Sequence, residues 1–165
     1  MSESSYRADA FHKLTYLVID DFENFRLSLR QMLRACGADQ IELVGNAEQA
    51  VKYCTYNHVD VVLCDYNLGE GKNGQHVLEE LRHKKLLRRS SMFLMVTAEN
   101  WEEEIVEAAE ENVDGYIIKP FVTQVVEDKI EEIIEKRKNP PEGESCFLNG
   151  LDFFERKKYP EAMEF

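Results

Sequence analysis

The sequence has little of what nucleic-acid, membrane and disulfide-built proteins need. Lysine and arginine number 20 against 32 aspartates and glutamates, a formal charge of −12. So few phosphates could be neutralised that the balance argues against a nucleic-acid module. The longest basic cluster, RHKKLLRR at 82–89, reads as a solvated helix end. No apolar run approaches the roughly 20 residues of a membrane span, so no membrane partner is expected. The N-terminus, MSESSYRADAFHK, is polar and lacks an apolar core, which argues against a signal peptide. Cys36, Cys54, Cys64 and Cys146 form no C-x-x-C pair and have no histidine at zinc spacing. They read as buried or incidental thiols in a reducing cytoplasm. Proline is also scarce, and the adjacent pair in NPPEGES (139–145) marks the one convincing linker, because two prolines cannot continue a helix.

Against these absences stand 44% hydrophobic and 32% charged residues over 165 positions, the balance of one globular domain with a small remainder. Short apolar runs alternate regularly with amphipathic segments. LTYLVI (14–19), IELV (41–44), VVLC (61–64), MFLMV (92–96) and YIIK (116–119) read as strands, the second of them at an edge. Between them, Phe22, Phe25, Leu29, Met32 and Leu33 fall on one helical face, with Gly37 as a stop. AEQAVKYCTY (47–56) repeats Ala50, Val51 and Cys54 at helical spacing, and a third helix turns Val77, Leu78 and Leu81 inward. WEEEIVEAAEEN (101–112) is the fourth. The fifth carries the stripe Val122, Val125, Val126, Ile130, Ile133 and Ile134. Five strands apolar on both faces, separated by five helices, predict an α/β sandwich around a parallel sheet.

In such a sheet, ligand sites form at the carboxyl ends of the strands. The first strand delivers Asp20 and Asp21 there, the third Asp65, the fourth Thr97 and the fifth Lys119, while the second brings only Gly45 and Asn46. Converging carboxylates repel one another, and a hard divalent cation such as Mg²⁺ would offset that cost. A lysine could pair with a phosphate oxygen and a threonine hydroxyl could donate to another. Asp65 would then be a nucleophile toward phosphorus, forming an acyl phosphate. The plainer reading is that strand-end acids cap helices, as Asp21 could on its own. That explanation suits any one of these residues better than all five groups together.

YLVIDD, VVLCDYNL, MVTAEN and GYIIKPF, in this order over residues 13–138, resemble the receiver domain of bacterial response regulators. The resemblance implies a flavodoxin-like five-stranded parallel sheet of order 2-1-3-4-5. It implies that Asp65 accepts a phosphoryl group from a sensor histidine kinase or phosphotransfer protein. Asp21 and Asp65 would ligate Mg²⁺ directly, Asp20 mainly through water, and the Asn67 backbone carbonyl would complete the protein ligands. Thr97 and the Ala98 amide would hold the phosphoryl group, and Lys119, before a cis Pro120, would bind one of its oxygens. Tyr116 matches the switch aromatic, although a half-buried edge-strand aromatic is its simpler role. Asn67 and Glu99 sit where family members tune the lifetime of the phosphate, and that pairing looks like the one in single-domain chemotaxis regulators. The domain would act as a cytoplasmic signalling module rather than an enzyme.

The loop after Asp65, NLGEGKNG, departs from the family pattern by lacking a proline and running one residue longer to Gly74. Its three glycines could absorb the extra residue, since they accept left-handed backbone angles. The acidic helix 101–112 is read as a solvated face or, as a hypothesis, part of a basic partner's docking surface or of a homodimer face. Residues 1–12 read as a tail and 139–146 as a linker. FLNGLDFFERKKYPEAMEF (147–165) is similar to the opening of a tetratricopeptide repeat, with Gly150, Phe153, Phe154, Tyr159 and Ala162 in register. A longer protein with a repeat region that binds a protein target is the expectation; a lone helical hairpin is the alternative. Two other readings compete with the receiver. A haloacid-dehalogenase-type phosphatase would need D-x-D on the first strand, where Asp20-Asp21 stands. A scaffold that merely keeps the fold would not need the complete site. A flavodoxin-type flavin module is disfavoured because two aspartates occupy the place of its phosphate loop.

Overall fold

Each central strand is a short run of β-branched and large apolar residues, and alternate residues point to opposite faces. Tyr16, Val18, Val61, Leu63 and Leu94 fall on one side of the sheet; Leu17, Ile19, Val62, Phe93 and Met95 fall on the other. Both sets are buried, so the sheet needs a helical layer on each face. The computed structural model describes residues 3–69, 71–98 and 113–138. Its elements are α1 (Glu3–His12), β1 (Thr15–Ile19), α2 (Glu23–Ala35), β2 (Gln40–Val44), α3 (Ala47–Tyr56), β3 (Val61–Asp65), α4 (Gly74–His83), β4 (Met92–Ala98), β5 (Gly115–Lys119) and α5 (Thr123–Lys138). The acidic segment 101–112, the linker 139–146 and the repeat-like segment 147–165 lie outside the described residues, as do Glu70 and Glu99.

The five strands are all parallel in the order β2-β1-β3-β4-β5, the flavodoxin-like order that the resemblance implies. β2 is an edge strand, with a burial pattern that alternates where that of β3 does not. Leu29 and Leu33 of α2 and Val126, Ile130 and Ile133 of α5 cover one face. Ala50 and Cys54 of α3 and Val77, Leu78 and Leu81 of α4 cover the other. Cys36, Cys54 and Cys64 are buried free thiols. Among the described residues no helix is long and apolar enough to cross a membrane.

Three expectations from periodicity are corrected. Phe22 does not share the buried face of α2: it is 67% exposed. Its backbone is extended and its amide donates to Asp20 Oδ1 at 2.9 Å, so the chain has not yet entered the helix. Val122 and Val125 do not join the buried stripe, being 64% and 40% exposed. Val122 precedes the helix, and Val125 stands in its first turn beside β5, which among the described residues is an edge strand. Finally, the polar N-terminal segment contains a helix. Phe11 of α1 is buried in the core, its carbonyl accepts from the Tyr16 hydroxyl at 3.0 Å, and Ala8 packs on Gly37. A Cβ on Gly37 would lie 2.8 Å from the Ala8 carbonyl oxygen, and its φ of +112° suits only glycine.

Candidate functional site

Strand register determines what meets at the carboxyl edge of the sheet. Ile19 pairs with Cys64, so the next residues in line, Asp20 and Asp65, stand level on neighbouring strands. Asp65 pairs with Val96, and Ala98 with Lys119, which brings Thr97 and Lys119 to the same rim. Asp20, Asp65 and Thr97 are buried, whereas Asp21 is exposed at the mouth. Each of the three aspartates offers an oxygen within 4.8 Å of the others. Lys119 reaches in from β5, its Nζ 3.1 Å from Asp65 Oδ2 and 3.5 Å from Asp20 Oδ2. The Lys119–Pro120 bond is cis, as expected.

The helix-cap alternative does not describe these acids. The N-cap of α2 is Phe22, with no side-chain cap bond, so Asp21 caps nothing there. Asp20 turns one oxygen to the Phe22 amide, while Oδ2 is buried and accepts no hydrogen bond. Burial, followed by the neighbouring Asp65 carboxylate, pushes the Asp20 carboxyl up to about 6, against the opposing pull of the Phe22 amide and Lys119. Asp20 and Asp65 thus share one lysine, with Asp21 close by and a buried acceptor without a hydrogen bond. Hard oxygen donors in this arrangement fit a divalent cation such as Mg²⁺.

The loop beyond Asp65 frames the mouth. The Asn67 amide donates to Asp65 Oδ1 at 3.2 Å, and its side-chain oxygen accepts from the Gly69 amide at 3.1 Å. Gly69 and Gly71 have φ of +81° and +100°, left-handed angles that suit glycine. Gly74 serves differently: a Cβ there would come within 2.6 Å of Met95 Sδ and 2.8 Å of the Asp65 carbonyl oxygen. Helix α4 can therefore start hard against the end of β3. Asn73 caps it in a reciprocal capping box with His76.

Tyr116 is half-buried on the α3–α4 side of the sheet. Ala98 ends β4, and Glu99 lies outside the described residues. Two residues at the site escaped the sequence reading. Arg26 Nη1 donates to the Asp20 carbonyl at 2.5 Å, bracing the aspartate turn from α2. Phe25, read only as a core residue, also presents its ring to Lys119, with Nζ 3.9 Å from the ring centroid.

A profile of the response regulator receiver domain matches residues 16–131. Chemotaxis protein CheY of Pseudomonas aeruginosa is 33% identical over 120 residues, covering 73% of this chain and 95% of that protein. Chemotaxis protein CheY-3 of Vibrio cholerae is 32% identical over 120 residues, covering 73% and 91%. The solved structure of chemotaxis response regulator CheY4 of Vibrio cholerae superposes with a TM-score of 0.64 at 20% identity, covering 73% of this chain and 98% of that one, a likeness of fold.

Proposed function

The chain belongs to the response regulator receiver domain family, and on that premise we propose that Asp65 is its phosphoacceptor. A carboxylate oxygen of Asp65 attacks the phosphorus of a phosphohistidine on a sensor histidine kinase or phosphotransfer protein. The new O–P bond forms as the P–N bond breaks, and the imidazole leaves with the electron pair of that bond. The observation that carries this reading is the lysine held 3.1 Å from Asp65 beside a buried carboxylate oxygen of Asp20 that accepts no hydrogen bond. A reactive carboxylate next to a fixed cation is arranged to receive a group that brings negative charge.

Asp20, Asp21, Asp65 and the Asn67 carbonyl would hold Mg²⁺, which when bound neutralises charge on the transferring phosphoryl oxygens. Lys119 would take a phosphate oxygen as a point charge, and the Thr97 hydroxyl and Ala98 amide would bind the others. Tyr116 would follow Thr97 on activation, and Asn67 with Glu99 would set how long the phosphate survives. This receiver unit spans residues 13–138 and works in the cytoplasm. Its output would pass through the linker to the repeat-like segment 147–165 and a protein target, with a homodimer through the acidic segment as a second route.

Intact mass after incubation with acetyl phosphate, with and without Mg²⁺, tests the reading. A single Mg²⁺-dependent phosphoryl adduct that Asp65→Asn abolishes is the expected result. Absence of an adduct on the wild-type chain, from either acetyl phosphate or a phosphorylated kinase, would leave a scaffold with a receiver fold.

A further inference from the structure

Lys119 has three partners at once. Its ammonium lies 3.1 Å from Asp65 Oδ2, 3.5 Å from Asp20 Oδ2 and 3.9 Å from the centroid of the Phe25 ring. The ring belongs to the first turn of α2. It is itself fixed by Phe121, which follows the cis Pro120 and meets it edge to face, centroids 5.8 Å apart with planes at 89°. A lysine has a flexible four-carbon stem and strongly hydrated charge, so its position depends on what holds the ammonium.

The three partners differ in what happens to them during phosphoryl transfer. When the carboxylates are committed to a cation, and Asp65 also to phosphorus, their pull on Lys119 weakens. The quadrupole of Phe25 does not change, because no proton, metal or phosphoryl group binds to it. We propose that Phe25 is a positioning residue, its ring face keeping the Lys119 ammonium at the phosphoryl site while the carboxylates around it change partners. Phe121 sets the plane of that ring, so the contact ties the start of α2 to the loop after β5. The proposal rests on the reading of Lys119 as a phosphate partner, since a lysine that merely balanced the apo carboxylates would not need a second anchor.

Phe25→Leu keeps an apolar side chain against Phe121 and removes the ring, whereas Phe25→Tyr keeps the ring face. The first measurement is the chemical shift of the Lys119 Hε protons in isotope-labelled, Mg²⁺-free protein. Ring-current shielding should displace them upfield in the wild type and in Phe25→Tyr, and Phe25→Leu should lose the displacement. The second is the rate of adduct formation from acetyl phosphate at saturating Mg²⁺. A fall of about 3- to 10-fold is expected for Phe25→Leu, the size of a partly desolvated cation–π contact, with recovery in Phe25→Tyr and calorimetric Mg²⁺ affinity unchanged in both. An unshifted Lys119 in the wild type, a leucine variant as fast as wild type, or a tyrosine variant as slow as the leucine one overturns the positioning role. A wild-type chain that takes no phosphoryl group overturns the phosphoacceptor reading, and this proposal with it. A fast wild type with an equally fast Phe25→Leu removes this proposal alone.

Discussion

The two ends of the sheet treat their carboxylates in opposite ways. At the amino-terminal end, Asp60 Oδ2 accepts from the Thr15 amide at 2.9 Å and the Thr15 hydroxyl at 3.0 Å, and its other oxygen faces His58 Nε2 at 2.6 Å. Asp114 Oδ2 accepts from the Phe93 amide at 2.7 Å, and Oδ1 accepts from Arg137 Nη2 at 2.8 Å. All four oxygens of these two aspartates have a protein donor. At the carboxyl-terminal end, Asp20 Oδ2 accepts no hydrogen bond and faces only the Lys119 ammonium at 3.5 Å, which is shared with Asp65, and Asp21 lies open to solvent. Acids that hold a fold together are satisfied by the fold. Acids left short of donors in a packed interior cost stability, and a ligand is what would compensate them.

The amino-terminal clamp should show the largest effect on stability. Asp114→Ala strips the acceptor from the amide of buried Phe93 and the partner from Arg137, which also binds the carbonyls of Ser90 and Ser91. Leaving a buried donor unmade costs roughly 2 kcal/mol or more. Urea unfolding should show that loss, while phosphoryl uptake by the folded protein stays within about 2-fold of wild type, since an effect of that size is well under 1 kcal/mol. A variant that folds as stably as wild type would mean the clamp is ornamental and the contrast between the two ends is overstated.

The opposite substitution at the other end should have the opposite sign. Asp20 titrates at about 6 in the folded protein against an ordinary value of 3.8. Between those values the folded state holds the extra proton, so metal-free stability falls as pH rises through that window and stays reduced above it. Asp20→Asn should therefore stabilise the metal-free protein at neutral pH by about 1–2 kcal/mol, and the advantage should vanish near pH 4. Saturating Mg²⁺ should reverse the order of the two proteins, because binding to the folded state alone favours the chain with the full ligand set. Equal unfolding midpoints in chelator at neutral pH would show that Asp20 carries no burial penalty.

This contrast also explains what could be read in the sequence. Apolar runs such as VVLC and MFLMV announce strands because burial on both faces leaves no place for a polar residue, and the polar group that follows each run is then conspicuous. Asp20, Asp65, Thr97 and Lys119 were legible for that reason. Helix α1 was not, since ESSYRADAFH has no apolar stripe and is anchored by buried Phe11 and a close approach at Gly37. Such contacts are tertiary and leave no periodic trace. Phe22 was misread because a helical period was extended through a residue that the Asp20 carboxylate holds in an extended turn. Phe25 was placed on the right face, but a period names a face and not the charged group that a distant strand brings to it.

The smallest effect belongs to His58. Its Nε2 lies 2.6 Å from Asp60 Oδ1, closer than many buried pairs, yet the two side chains are 33% and 25% exposed. Water can replace the imidazole there, and the Asp60 oxygen that matters for the fold is the one taken by Thr15. His58→Gln should cost no more than about 0.5 kcal/mol. Thr15→Val, which removes the hydroxyl but leaves the Thr15 amide bond to Asp60, makes the reference. If His58→Gln costs more than Thr15→Val in chelator and in high salt, proximity rather than burial governs these carboxylates. The missing donors at Asp20 Oδ2 would then say little about why that end of the sheet is built as it is.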